Sequence, residues 1–193
     1  MNHRENKDEL LQQLGEVARP VAEITSYSIQ KGIYGFFLLH GALCIGGQTF
    51  ESGKDSLLYV GKTESSQKMR DAGEHLADGQ TGRSTLRRSL GALLREVLNL
   101  RPQPRSNTEK STKRFTNFKF DAAGEKRLTA WMKKHSGLGL CELPALTIPE
   151  LEEREERLIR SAKPPLNIDD NPDSPYLTHL KSARKHCAAL SKE

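Results

Sequence analysis

The chain reads as a mixed α and β domain, on three observations. Two runs of β-formers, Lys31 to His40 (KGIYGFFLLH) and Leu57 to Val60 (LLYV), flank a Gly-rich stretch around Gly46-Gly47 and Gly53, which predicts an antiparallel hairpin with a long connection. Leu138 to Leu143 is a third short strand. The remaining segments carry apolar residues at helical spacing. A length of 193 residues suits one domain with a real core and would be cramped for two.

Taken in order, residues 8–18 (DELLQQLGEVA) predict a short amphipathic helix that Pro20 helps to end. The hairpin follows, and after Gly61-Lys62-Thr63 residues 65–77 read as a helix with Met69, Ala72 and Leu76 on one face. DGQTG at 78–82 is turn chemistry, and Ser84 or Thr85 caps the next helix. That helix, 84–100, buries a stripe of Leu86, Leu90, Leu93, Leu94 and Val97, with Arg87, Arg88 and Arg95 on its other faces. Residues 101–119 form a loop with six Lys or Arg against one Glu. Asp121 caps a helix with Leu128, Trp131 and Met132 inward. Pro149, well placed in a first turn, opens a helix through about Ser161, and Pro164-Pro165 stop it. A basic helix, Tyr176 to Leu190, ends the chain. The expected organisation is an N-terminal helical extension (1–27), a central domain (28–168) with an insertion at about 80–136, and the C-terminal helix (169–193).

The composition narrows the function classes. Net charge is +5 and the pI is about 9.1, which favours a polyanionic partner, although a mildly basic protein without one has the same balance. Cys44, Cys141 and Cys187 show no framework or C-x-x-C spacing, and no two histidines stand at ligand spacing. Free thiols in a reducing cytoplasm are the expectation. Neither a secretory signal nor a membrane-spanning stretch is legible.

The helix at 149–161 holds an anomaly. Leu151, Leu158, Ile159 and Ala162 share one face, and at about 100° per residue Glu155 falls in the middle of that stripe. Its neighbours Glu152, Glu153 and Glu156 read as a solvated acidic face. A carboxylate turned toward a core is costly unless a cation or hydrogen-bond donors compensate it. A divalent metal is the candidate partner, because a hard cation takes carboxylate oxygen. Tyr34 and Tyr59 lie in the two hairpin strands, each with a glycine close by. Either alone reads as core.

Gly32-Ile33-Tyr34 and Tyr59-Val60-Gly61-Lys62 resemble the two signature triplets of GIY-YIG nucleases. Glu155, Leu158-Ile159 and Pro164-Pro165-Leu166-Asn167 resemble the family's third block, with Asn167 twelve residues after Glu155. The resemblance covers about residues 31–168. It implies an α+β fold with a small three-stranded antiparallel sheet flanked by helices, here with a helical insertion before the third strand. It also implies hydrolysis of DNA phosphodiesters with one divalent ion, Mg²⁺ or Mn²⁺. On it, Tyr34 is the candidate general base or orients the attacking water, and Tyr59 bonds the water or a phosphate oxygen. Glu155 ligates the metal, Asn167 supports the site from the turn after the helix, and Lys62 neutralises phosphate charge. A free Tyr titrates near pH ~10, so it needs a nearby metal or cation to accept a proton near neutrality.

The family clamps developing charge with an Arg on the helix after the second triplet. Arg70, eleven residues beyond Tyr59, is the first choice and Arg87 the second, with His75 as a further phosphate or cation candidate. In the insertion, Arg105, Lys113 and Arg114 are candidate DNA contacts, and Phe115, Phe118 and Phe120 either stack on bases or pack a satellite core. Expected partners are DNA and no membrane, with a monomer and a dimer both open. A DNA-binding module of the same fold without turnover is the alternative. A structural protein with coincidental triplets is a third reading, and it leaves Glu155 unexplained.

Overall fold

A computed structural model describes residues 5–53, 56–66, 74–106, 108 and 110–193. The chain begins with α1 (Glu5–Val17), β1 (Arg19–Pro20) and a 3-10 turn (Val21–Glu23), followed by β2 (Gly32–Leu38). A small ribbon, β3 (Ala42–Ile45) and β4 (Gln48–Glu51), leads to β5 (Leu57–Thr63). The segment expected as an insertion holds α2 (Thr85–Leu93), β6 (Pro102–Gln103), α3 (Lys113–Thr116), β7 (Lys119–Phe120) and α4 (Ala122–His135). It returns through β8 (Ser136–Glu142), and α5 (Ile148–Ala162) and α6 (Leu177–Leu190) complete the fold.

The central sheet has the order β1-β8-β2-β5 and is antiparallel throughout. The three long strands are the expected ones, and the two-residue β1 is an addition at one edge. The long hairpin connection also has structure of its own: β3 and β4 turn at Gly46 and Gly47, both at positive φ, where glycine carries no steric penalty.

Side-chain alternation divides β2 between two cores. Tyr34, Phe36 and Leu38 face a cluster with the insertion residues Leu86, Leu90, Phe120 and Leu128. Ile33 and Phe37 face the other way, against Leu14 of α1 and Leu151, Leu158 and Ile159 of α5. The β2–β5 register shifts between Phe36 and Phe37, leaving Leu58 as an extra residue. Beyond that bulge Tyr59 stands opposite Phe36 and Gly61 opposite Tyr34, so both tyrosines point to the insertion side.

The second predicted helix departs from expectation. α2 ends at Leu93, and the chain then turns through Asn99, whose φ is +49°. Val97, expected in the apolar stripe, is 79% exposed. Arg127 holds this turn by donating to the carbonyls of Leu98 (2.7 Å) and Asn99 (2.6 Å). The helix expected over 65–77 falls largely on residues outside those described.

Candidate active site

Tyr34 and Tyr59 are diagonal neighbours across the β2–β5 pair, with ring centroids 6.4 Å apart. Gly61, directly opposite Tyr34, explains why this strand carries a glycine. A Cβ there would come within 2.3 Å of the Tyr34 hydroxyl oxygen and 2.4 Å of its ring. The phenol therefore lies flat across its neighbour's backbone, and any side chain at 61 would expel it. Tyr34 is fully buried and Tyr59 nearly so.

His75 completes an aromatic trio. Its ring lies 5.6 Å from that of Tyr34 and 6.1 Å from that of Tyr59, with Phe36 edge-on at 5.8 Å. The Tyr34 hydroxyl is 2.7 Å from His75 Nε2, and His75 Nδ1 is 2.7 Å from the Ser84 hydroxyl. Ser84 also caps α2, accepting from the Arg87 backbone N–H at 3.0 Å. A continuous polar chain thus runs from the sheet to the start of a helix, with Tyr34, His75 and Ser84 all buried. His75, expected near phosphate, has both ring nitrogens engaged in this chain. The sequence marked Ser84 only as a cap, since nothing local signals its second role.

Arg87, the second choice for the cation clamp, is committed elsewhere. Its side chain is fully buried and pairs with Glu125 at 2.7 Å. The rest of its fork donates to Thr81 Oγ1 (3.1 Å), the His75 carbonyl (2.9 Å) and Thr129 Oγ1 (3.1 Å). Glu125 in turn accepts from Thr81 Oγ1 (2.8 Å) and from the backbone N–H groups of Gly79 (3.2 Å) and Phe120 (3.0 Å). Arg87 therefore has no donor left for a phosphate and locks the insertion together. Burial lowers its pKa, and Glu125 opposes that shift. Arg70, the first choice, lies outside the described residues.

α5 is tied to the outer strand at two points. Near its start, Lys62 ion-pairs with Glu152 and, at 3.0 Å, with Glu64. Burial pulls the Lys62 ammonium down, but the two carboxylates outweigh it and the net shift is upward. Lys62, expected to meet phosphate, is already shared between carboxylates. Beyond its end, Asn167 accepts from the Val60 N–H and donates to the Val60 carbonyl, both at 2.9 Å. Leu166 adds a backbone bond to the Leu58 carbonyl at 2.9 Å. Since β5 is an edge strand, these bonds satisfy groups that would otherwise lie open. Glu155 lies between the two ties in the sequence and is partly buried, so the carboxylate expected in the middle of the apolar stripe is not sealed inside it.

Among the described residues no three His, Cys, Asp or Glu side chains gather as a ready-made metal cage. One accessible carboxylate still fits a hard divalent ion, because Mg²⁺ keeps most of its waters and takes one or two carboxylates plus substrate phosphate oxygens.

The insertion's aromatic residues are mostly core. Phe118 and Phe120 are buried, packing edge-on at 5.5 Å, which removes them as base-stacking platforms. Phe115 is partly exposed beneath the Arg114 guanidinium, at 4.5 Å from its centroid. Lys113 is exposed on α3, and Arg105 packs across Gly82.

Two tyrosines lie on adjacent antiparallel strands of an α+β domain, with a carboxylate-bearing helix tied along the outer strand. A profile of the GIY-YIG catalytic domain matches residues 47–186, and the chain belongs to that family. The matched span takes in Tyr59, Glu155 and Asn167, starts after Gly32-Ile33-Tyr34, and runs into α6. Nuclease activity on DNA is what the domain suggests. No curated protein and no solved structure matches the chain. Among the described residues no helix is long and apolar enough to cross a membrane.

Proposed function

We propose that the protein is a divalent-metal-dependent DNA endonuclease in which Tyr34 handles the proton of the attacking water. The observation that carries this reading is the buried chain from Tyr34 through His75 to Ser84, with both contacts at 2.7 Å. Packing alone is served as well by phenylalanine at 34, whereas a hydroxyl held against an imidazole forms a proton path. With Nδ1–H directed at Ser84, His75 Nε2 accepts the Tyr34 proton, and the phenol oxygen accepts one from water. Water oxygen then bonds to phosphorus as the P–O bond to the leaving strand breaks. Tyr59 orients the water or a phosphate oxygen, and Asn167 fixes the strand that carries Tyr59. Glu155 would hold Mg²⁺ or Mn²⁺, which when bound supplies positive charge to the phosphate oxygens. Arg70 remains the proposed cation clamp.

The test is plasmid cleavage by purified protein with Mg²⁺ or Mn²⁺. Glu155→Gln abolishes cutting and leaves DNA binding largely intact. Tyr34→Phe loses about 10²-fold or more in rate, the scale of a lost general base, and lowers Tm modestly because His75 Nε2 loses its buried partner. Equal activity in Tyr34→Phe removes that residue from the mechanism. Binding without cutting, across metals and across plasmid, branched and single-stranded DNA, establishes the non-catalytic binding module instead.

A further inference from the structure

Arg88 follows Arg87 on α2 and meets opposite surroundings. It is 7% exposed, and its fork donates only to neutral groups: the carbonyls of Thr81 (3.2 Å) and Gly82 (2.9 Å) and the Thr85 hydroxyl (3.2 Å). Its Nε is buried with no hydrogen-bond partner among the described residues. Across the α2–α6 contact stands Arg184, half-buried, whose bond among the described residues is a long one of 3.4 Å to the Ser89 hydroxyl. Among the described residues neither guanidinium has a carboxylate at ion-pair distance. Asp169 favours the charged form of both guanidinium groups without reaching ion-pair distance of either, and a bound anion offsets the remaining cost of holding two positive charges in one helix interface.

The electrostatics locate the pair. Burial, then the positive charge of Arg184, pulls Arg88 down to about 10, with Tyr59 acting in the opposite direction, Arg105 adding to the depression and Asp169 opposing it. Burial also lowers Arg184, against Asp169 and Tyr59. Both arginines thus sense Tyr59. On the other side, Gly82, whose carbonyl takes the Arg88 bond, lines a cleft with Arg83, Arg105 and Lys119.

We propose that Arg88 and Arg184 form a phosphate subsite beside Tyr59, which holds a phosphodiester adjacent to the one cut, and that the bound strand continues into the Arg83, Arg105 and Lys119 cleft. The assignment rests on the DNA-cutting reading, and planar guanidinium forks are the groups suited to phosphate oxygens. Neither residue acts on the scissile bond. Both position the strand.

DNA binding measured in EDTA over a range of salt tests the subsite apart from turnover. Arg184→Gln and Arg88→Gln each weaken binding and flatten the slope of log K against log salt by about 0.9, the loss of one phosphate contact, across unrelated sequences. Lys185→Gln, an exposed neighbour on the same helix, changes the slope less. Arg88→Lys, which keeps the charge, restores part of the affinity and covers the case in which Arg88→Gln does not fold. Unchanged affinity and slope in folded Arg184→Gln, or an Arg88→Gln loss that Arg88→Lys does not relieve at all, with cutting intact, overturns the subsite and spares the nuclease. Wild-type protein that does not bind DNA removes both.

Discussion

The two faces of the central sheet are built by different physics. On one, α1 and α5 lay leucines and isoleucines on Ile33, Phe37, Leu57 and Val60, a cluster of apolar side chains. On the other, the insertion covers Tyr34, Phe36 and Tyr59 with a core that also encloses His75, Ser84, Arg87 and Glu125, all buried. The first face is held by non-directional burial and tolerates changes in proportion to the volume removed. The second depends on pairs, in which each polar group is tolerable only while its partner is present. The proposed proton path from Tyr34 through His75 to Ser84 lies on this second face, whereas Glu155 belongs to α5, which packs on the first.

The largest effect expected follows from that difference. Arg87→Leu leaves Glu125 buried without its cation and costs about 3–5 kcal/mol. Leu151→Ala, on the opposite face, also costs about 2–5 kcal/mol by opening a cavity. Denaturant melts of both, combined with cleavage rates per folded molecule, separate the faces. Arg87→Leu disturbs the His75 carbonyl and the α2 cap as well as the fold, so its residual activity falls further than that of Leu151→Ala at equal stability. Equal specific activities would erase the distinction between the faces.

A smaller cost in stability, with a larger one in function, is expected at Gly61. An alanine Cβ collides with the Tyr34 ring, and overpacking of this kind costs about 1–3 kcal/mol. Cleavage falls to the level of Tyr34→Phe, because the displaced phenol loses its bond to His75. If the double variant Gly61→Ala, Tyr34→Phe is no slower than either single one, the two changes act through one group.

The same contrast explains what could be read from the chain beforehand. The three long strands, α4 and α5 follow from local periodicity, caps and breakers, and their bounds lie close to expectation. The apolar stripe of α2 was legible as far as Leu94, but nothing local reports that the chain turns before Val97. Arg87 looked like a surface residue because its partner Glu125 lies 38 residues away, and Tyr34 meets His75 across 41. Pairings over such separations leave no periodic trace. Glu155 stood out by its position on the helix, yet the stripe alone did not say that it would be only partly buried.

The smallest effect tests the quieter face. Thr147 caps α5 by accepting from Glu150 N–H, while the Glu150 carboxylate accepts from the Thr147 backbone N–H and hydroxyl, both at 2.7 Å. Thr147→Ala costs about 1 kcal/mol. The Glu150 pKa is lowered, chiefly by the Thr147 hydroxyl and then its backbone N–H. A carboxylate depressed in the folded state stabilises fully above its unfolded pKa of about 4.3 and loses that stabilisation as pH falls through the lower folded value. The Tm advantage of wild type over Glu150→Gln therefore holds at neutral pH and shrinks on acidification through that window. Cleavage at neutral pH stays close to wild type in both variants, because Glu152 and Asn167 still tie α5 to β5 on either side of Glu155. A marked loss of cutting in Thr147→Ala would mean that the start of α5, and not those two ties, sets the position of Glu155.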